Sequence, residues 1–111
     1  MIESALVSTG LSPIDITEMV TIFSQFSHID SVFLFGSRAK GAWKPGSDVD
    51  LCVFGSSFSA ESLIRLSAAL NEDTLSPFQF DVVSWSLLEN AELKSHIKRV
   101  GFQIFPAEND V

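Results

Sequence analysis

The chain has 111 residues, 46% of them hydrophobic, and a formal net charge of −7 from 14 acidic and 7 basic side chains. That length predicts a single domain over 1–111, the apolar content excludes disorder, and the acidic balance argues against direct nucleic-acid binding. One cysteine excludes a disulfide framework or a cysteine-based zinc site and fits a cytoplasmic protein; neither a signal-peptide pattern nor an apolar run of about 20 residues is present.

In chain order, the first helix is expected from Pro13 to about Phe26. Ser12 suits its cap and Pro13 its first position, and Ile16, Met19, Val20, Phe23 and Phe26 recur at helical spacing. Ser31–Phe35 reads as a short buried strand that ends at Gly36, with one helical turn over Ser37–Lys40. Trp43-Lys44-Pro45-Gly46 reads as a loop. Asp48–Phe54 reads as a second strand, closed by Gly55. A second helix follows from Ala60 to Asn71, with Ser59 as cap. Phe78–Ser84 reads as a third strand. Ser86-Leu87-Leu88-Glu89 matches a capping box, which places the start of a last helix after Ser86. Leu93, Ile97 and Val100 share a face of that helix, Lys98 and Arg99 occupy its last turn, and Gly101 suits the position after it. Phe102–Phe105 adds a terminal strand. The alternation predicts an α/β (α+β) fold, a small mixed β-sheet flanked by helices.

Scarce cations gather in two places: Arg38, Lys40 and Lys44, and Lys94, Lys98 and Arg99. Asp48 and Asp50 lie two apart on one strand, so their side chains face the same way, roughly 7 Å apart along the backbone. Carboxylates so placed repel, and a cation between them relieves the repulsion. Oxygen-only ligands suit Mg²⁺. A bare Asp-x-Asp is also what an exposed strand edge carries; the neighbours shift that balance. Gly36-Ser37 follows a strand and opens a helical turn, an arrangement that offers free backbone N–H groups and a hydroxyl to an anion. Asp81 sits in Phe78–Val83, a run otherwise nearly all apolar, where a charge is costly unless paired or ligated. A strand there beside Asp48–Phe54 brings Asp81 to the other two, and three carboxylates can hold two metal ions roughly 3.5–4 Å apart.

Gly36-Ser37-Arg38-Ala39-Lys40-Gly41, followed by Ser47-Asp48-Val49-Asp50-Leu51, resembles the signature of the DNA polymerase β-like nucleotidyltransferase superfamily, and the short length resembles its minimal (MNT) branch. The resemblance implies the polymerase β-like fold. It implies that Asp48, Asp50 and Asp81 are catalytic and ligate one or two Mg²⁺ ions, with Asp81 helping to activate the attacking hydroxyl. It places Gly36, Ser37, Arg38, Lys40 and Ser47 around the phosphates of ATP, with Arg38 either orienting phosphates or stabilising the loop. The implied reaction transfers a nucleoside monophosphate, AMP from ATP, to a hydroxyl, with pyrophosphate leaving.

Relatives of the MNT branch pair with a helical HEPN ribonuclease toxin, and the implied acceptor is a tyrosine of that toxin. The chain has no tyrosine of its own. The expectation is an AMP-transferring antitoxin that works in trans, with no acceptor domain in this chain, no membrane role, and self-association as an option. The alternatives are an idle antitoxin that neutralises the toxin by contact, and one subunit of a two-chain small-molecule nucleotidyltransferase. The cluster of Arg38, Lys40, Lys44 and Trp43 is the expected partner surface, because Trp and Arg recur at interface hot spots. Cys52 falls on the carboxylate side of its strand, and His28 and His96 read as surface or cap residues.

Overall fold

A computed structural model describes residues 8–106. Helix α1 spans Pro13–Phe23 and opens with a reciprocal cap. The Ser12 hydroxyl accepts from the Asp15 N–H at 3.1 Å, and the Asp15 carboxylate accepts from the Ser12 N–H at 2.8 Å. The helix ends at Phe23 rather than Phe26. Gln25 and Phe26 instead donate to carbonyls three residues back, a tight turn that still lets Phe26 pack on the core.

Strand β1 (Ser31–Phe35), short helix α2 (Gly36–Lys40), strand β2 (Val49–Phe54), helix α3 (Ala60–Glu72), strand β3 (Phe80–Ser84), helix α4 (Ala91–Val100) and strand β4 (Phe102–Phe105) follow. The sheet order is β3-β2-β1-β4. β1 runs antiparallel to both β2 and β4, while β2 and β3 are parallel, so the sheet is mixed. The parallel step is made by α3, as a crossover connection requires.

Alternation divides the strands between two layers. Val32, Leu34, Val49, Leu51 and Val53 are fully buried in one cluster with Met19, Ile22 and Phe23 of α1 and Leu66 and Leu70 of α3. Phe35 and Cys52 face the other way, beneath Ile97 of α4.

The last helix does not begin after Ser86. The Trp85 N–H still donates to the Val53 carbonyl at 2.8 Å, and the indole stacks on Phe54 with ring centroids 4.8 Å apart. The chain is thus held to the sheet one residue beyond β3. It must turn before it can leave, and the Leu87 and Leu88 N–H groups close that turn on the Ser84 carbonyl. Asn90, not Ser86, caps α4 by accepting from the Leu93 N–H at 3.0 Å.

Candidate active site

Strand pairing sets the acidic residues side by side. In the parallel ladder Asp50 lies directly opposite Asp81, and neighbouring strands are about 4.8 Å apart. Asp48 does not belong to the strand; β2 begins at Val49, whose N–H is drawn to the Gln79 carbonyl at 2.9 Å. Asp48 is exposed, Asp50 half-buried and Asp81 exposed. The burial expected of Asp81 is therefore absent. β3 is an edge strand, and the side chain faces solvent on the open part of the sheet.

The electrostatics show that the three still form one group. Burial pushes the Asp50 carboxyl up to about 6, and the charges of Asp81 and Asp48 push in the same direction. This is uncompensated negative charge at the mouth of a strand pair. Among the described residues no three His, Cys, Asp or Glu side chains converge into a metal cage by themselves. The three-carboxylate cluster expected to hold two metal ions is therefore not assembled by the described side chains; Mg²⁺ itself takes one or two carboxylates and completes its shell with water and substrate phosphates. The donor set is all oxygen, it carries excess negative charge, and Asp48 and Asp81 are exposed, so these residues fit the ion.

Gly36 stands against Asp50. Its φ of 77° is in the left-handed region, and a Cβ there would collide with the Asp50 carboxylate. Only glycine meets both demands, so the α2 turn and the acidic strand approach as closely as backbone allows. Ser37 follows in the first turn of α2, half-buried, and its carbonyl accepts from the Ala42 N–H at 2.9 Å. Lys40 is exposed at the end of α2.

Arg38 is elsewhere than the open face. Its side chain is 1% exposed. The Nε–H donates to the Ser47 carbonyl at 3.1 Å and an Nη1–H to the Thr9 carbonyl at 2.7 Å. The guanidinium lies 4.5 Å from the Phe78 ring centroid and 5.2 Å from that of Trp43. Of the two roles the resemblance allows, these contacts are those of loop stabilisation. Ser47 is likewise engaged: its hydroxyl accepts from the Lys44 N–H at 2.8 Å and closes the loop ahead of Asp48.

Trp43 does not stand free either, because its indole N–H donates to the Ser8 carbonyl at 2.7 Å. The expected partner cluster thus keeps only Lys40 and Lys44 exposed. Cys52 is on the carboxylate side but fully covered, and burial pushes its thiol up to about 12, which leaves it unreactive. His28 is exposed at a positive φ, and His96 stacks edge-on with Phe35 at 6.0 Å.

Sequence reasoning missed Asn71. Its amide donates to the Phe80 carbonyl at 3.1 Å and accepts from the Phe80 N–H at 2.8 Å. It thereby fills the outward groups of the edge strand next to Asp81. An asparagine at the end of an amphipathic helix reads from sequence as a helix terminus, so nothing local marks it.

The chain matches the family described as "Polymerase beta, Nucleotidyltransferase" over residues 17–110. It belongs to that nucleotidyltransferase family. No curated protein matches it at a significant level. Among solved structures, it resembles a toxin–antitoxin with AMP-PNP at 18% identity and a TM-score of 0.69, covering 86% of this chain and 76% of that one. It also resembles a complex of a tri-AMPylated Shewanella oneidensis HEPN toxin with its MNT antitoxin at 15% identity and a TM-score of 0.63, covering 87% and 74%. An MntA–HpeT toxin–antitoxin variant aligns at 15% identity and a TM-score of 0.68, over 86% and 76%. At these identities the likeness is one of fold. Among the described residues, no helix is long and apolar enough to cross a membrane.

Proposed function

We propose that this chain is an Mg²⁺-dependent nucleotidyltransferase that moves AMP from ATP to a hydroxyl of a partner protein, a tyrosine of a HEPN-type toxin, and so acts as an antitoxin. The observation that carries this reading is the juxtaposition of Asp50, Asp81 and Asp48 with the Gly36-Ser37 turn, where Gly36 touches the Asp50 carboxylate. The fold shared with toxin–antitoxin structures, one holding AMP-PNP and one an AMPylated toxin, supports the nucleotide and the partner.

Asp48 and Asp50 would hold the metal, which when bound neutralises phosphate charge and polarises the α-phosphoryl group. Gly36 lets the phosphate-binding turn lie directly against the Asp50 carboxylate. The Ser37 hydroxyl and the backbone of α2 supply hydrogen bonds to it, and Lys40 adds positive charge. Asp81, exposed at the sheet edge, is open to a bulky acceptor and takes the proton from its hydroxyl. The acceptor oxygen forms the new bond to the α-phosphorus, the bond to the bridging oxygen breaks, and pyrophosphate leaves. The work of the chain is positioning and charge stabilisation, as in other phosphoryl transfers.

The test is to incubate the chain with a HEPN-type toxin from the same genome, ATP and Mg²⁺, and weigh both proteins intact. The partner should gain one AMP or a small multiple, with no gain for Asp50→Asn. No added mass, with full neutralisation of the toxin by Asp50→Asn, would leave the contact antitoxin as the function.

A further inference from the structure

A buried guanidinium is costly unless its donors are used and its charge is answered. Among the described residues no buried side-chain nitrogen or oxygen lacks a partner; burial still pulls the Arg38 pKa down, and the Asp15 carboxylate of α1 offsets part of that cost. What matters is where its partners lie in the chain. Ser47 immediately precedes Asp48. Phe78 lies three residues before Asp81. Thr9 belongs to the turn that enters α1, and a Cβ at the neighbouring Gly10 would strike both the Arg38 guanidinium and the Trp43 ring. Arg38 itself is one residue after Ser37. One rigid fork therefore touches the entry to both acid-bearing strands from the helix that carries the phosphate turn.

We propose that Arg38 is a positioning residue that fixes Asp48 and Asp81 about Asp50 for the metal-bound nucleotide, without touching either. Asp48 needs such a restraint, because it lies outside the hydrogen-bonded strand and is exposed. Lysine cannot replace the guanidinium: a single ammonium cannot span two carbonyls in the same planar geometry or stack on Phe78 equally well. The proposal rests on the nucleotide-binding reading above.

The test uses the whole chain with two readouts: the Mg²⁺ concentration that gives half-maximal ATP binding by calorimetry, and amide hydrogen exchange over residues 44–49 and 78–82 measured against the β1 amides. In Arg38→Lys the half-maximal Mg²⁺ concentration should rise about tenfold, as for lost outer partners of metal ligands, and exchange should quicken in both segments together. Val53→Ala, a core variant of lowered thermal midpoint, should leave the Mg²⁺ dependence within about twofold. Phe78→Leu, which removes the ring from the guanidinium and keeps an apolar side chain, should move both readouts the same way by about threefold, and it decides the matter if Arg38→Lys does not fold. A shift in only one readout, in neither, or an equal Mg²⁺ shift in Val53→Ala overturns the proposal. If the wild type binds no ATP with Mg²⁺, the proposed function fails, and the exchange pattern alone then decides whether Arg38 couples the two segments.

Discussion

The two faces of the sheet are made from alternate residues of the same strands, yet they serve opposite ends. Val49, Leu51 and Val53 are sealed under α1 and α3, each with no exposed surface. Asp50, between Val49 and Leu51, faces the layer that α4 covers over Phe35, Cys52 and Val83, while Asp81 stays exposed. Stability comes from the closed face, and the open face gives some of it up. Asp50 and Asp81 are held together there because backbone pairing places them, not because they attract one another, and Asp48 joins them from the loop just ahead of β2.

This contrast can be broken most sharply at Leu51. Leu51→Ala leaves a cavity in the sealed layer and should cost about 2–5 kcal/mol, read as a lowered denaturant midpoint. A loss under about 1 kcal/mol would mean that the helix-covered face does not carry the fold.

One residue away, Asp50→Asn should act in the opposite direction. The folded Asp50 carboxyl titrates near 6, above its ordinary 3.8, so between those values the folded chain holds a proton that the unfolded chain has released. Stability from this group is present below about pH 4 and is lost as pH rises through about 6. Asp50→Asn escapes that loss. The stability difference between variant and wild type should grow from pH 4 to pH 7 by about 1 kcal/mol, because solvent screens a half-buried carboxyl. A difference flat with pH would show that neither burial nor the neighbouring carboxylates raise the Asp50 pKa.

Asn71→Ala strips the partners from the outward groups of Phe80 and should cost about 1–3 kcal/mol, with faster exchange of the Phe80 amide. Unchanged exchange would mean that water serves the edge strand as well as the side chain does. The smallest effect belongs to Asp81→Asn. An exposed edge residue should shift apo stability by less than about 0.5 kcal/mol, while AMP transfer to the partner falls. A large stability change would make Asp81 structural.

Much of this protein was legible in the order of its residues. Ser12 with Pro13, and Ser59, mark helix starts because capping is a local interaction that the structure repeats. The Gly36-Ser37 and Asp48-x-Asp50 motifs carry their identity in short spacing, and the family assignment agrees with it. What failed was decided by distant partners. Ser86 has the pattern of a cap, but Trp85 is pinned to Val53 and Phe54, so the helix waits for Asn90. Arg38 looked like one cation in a basic loop. Whether a guanidinium meets phosphate or is buried depends on carbonyls at Ser47 and Thr9, the latter 29 residues away. The same holds for Asp81 and Asn71. The sequence by itself determined the helices, the strands and the chemical motif, because caps, alternation and turns act over a few residues. Only the tertiary structure decided the strand order, the exposed edge that bears Asp81 and the burial of Arg38, because each is set by contacts between segments far apart along the chain.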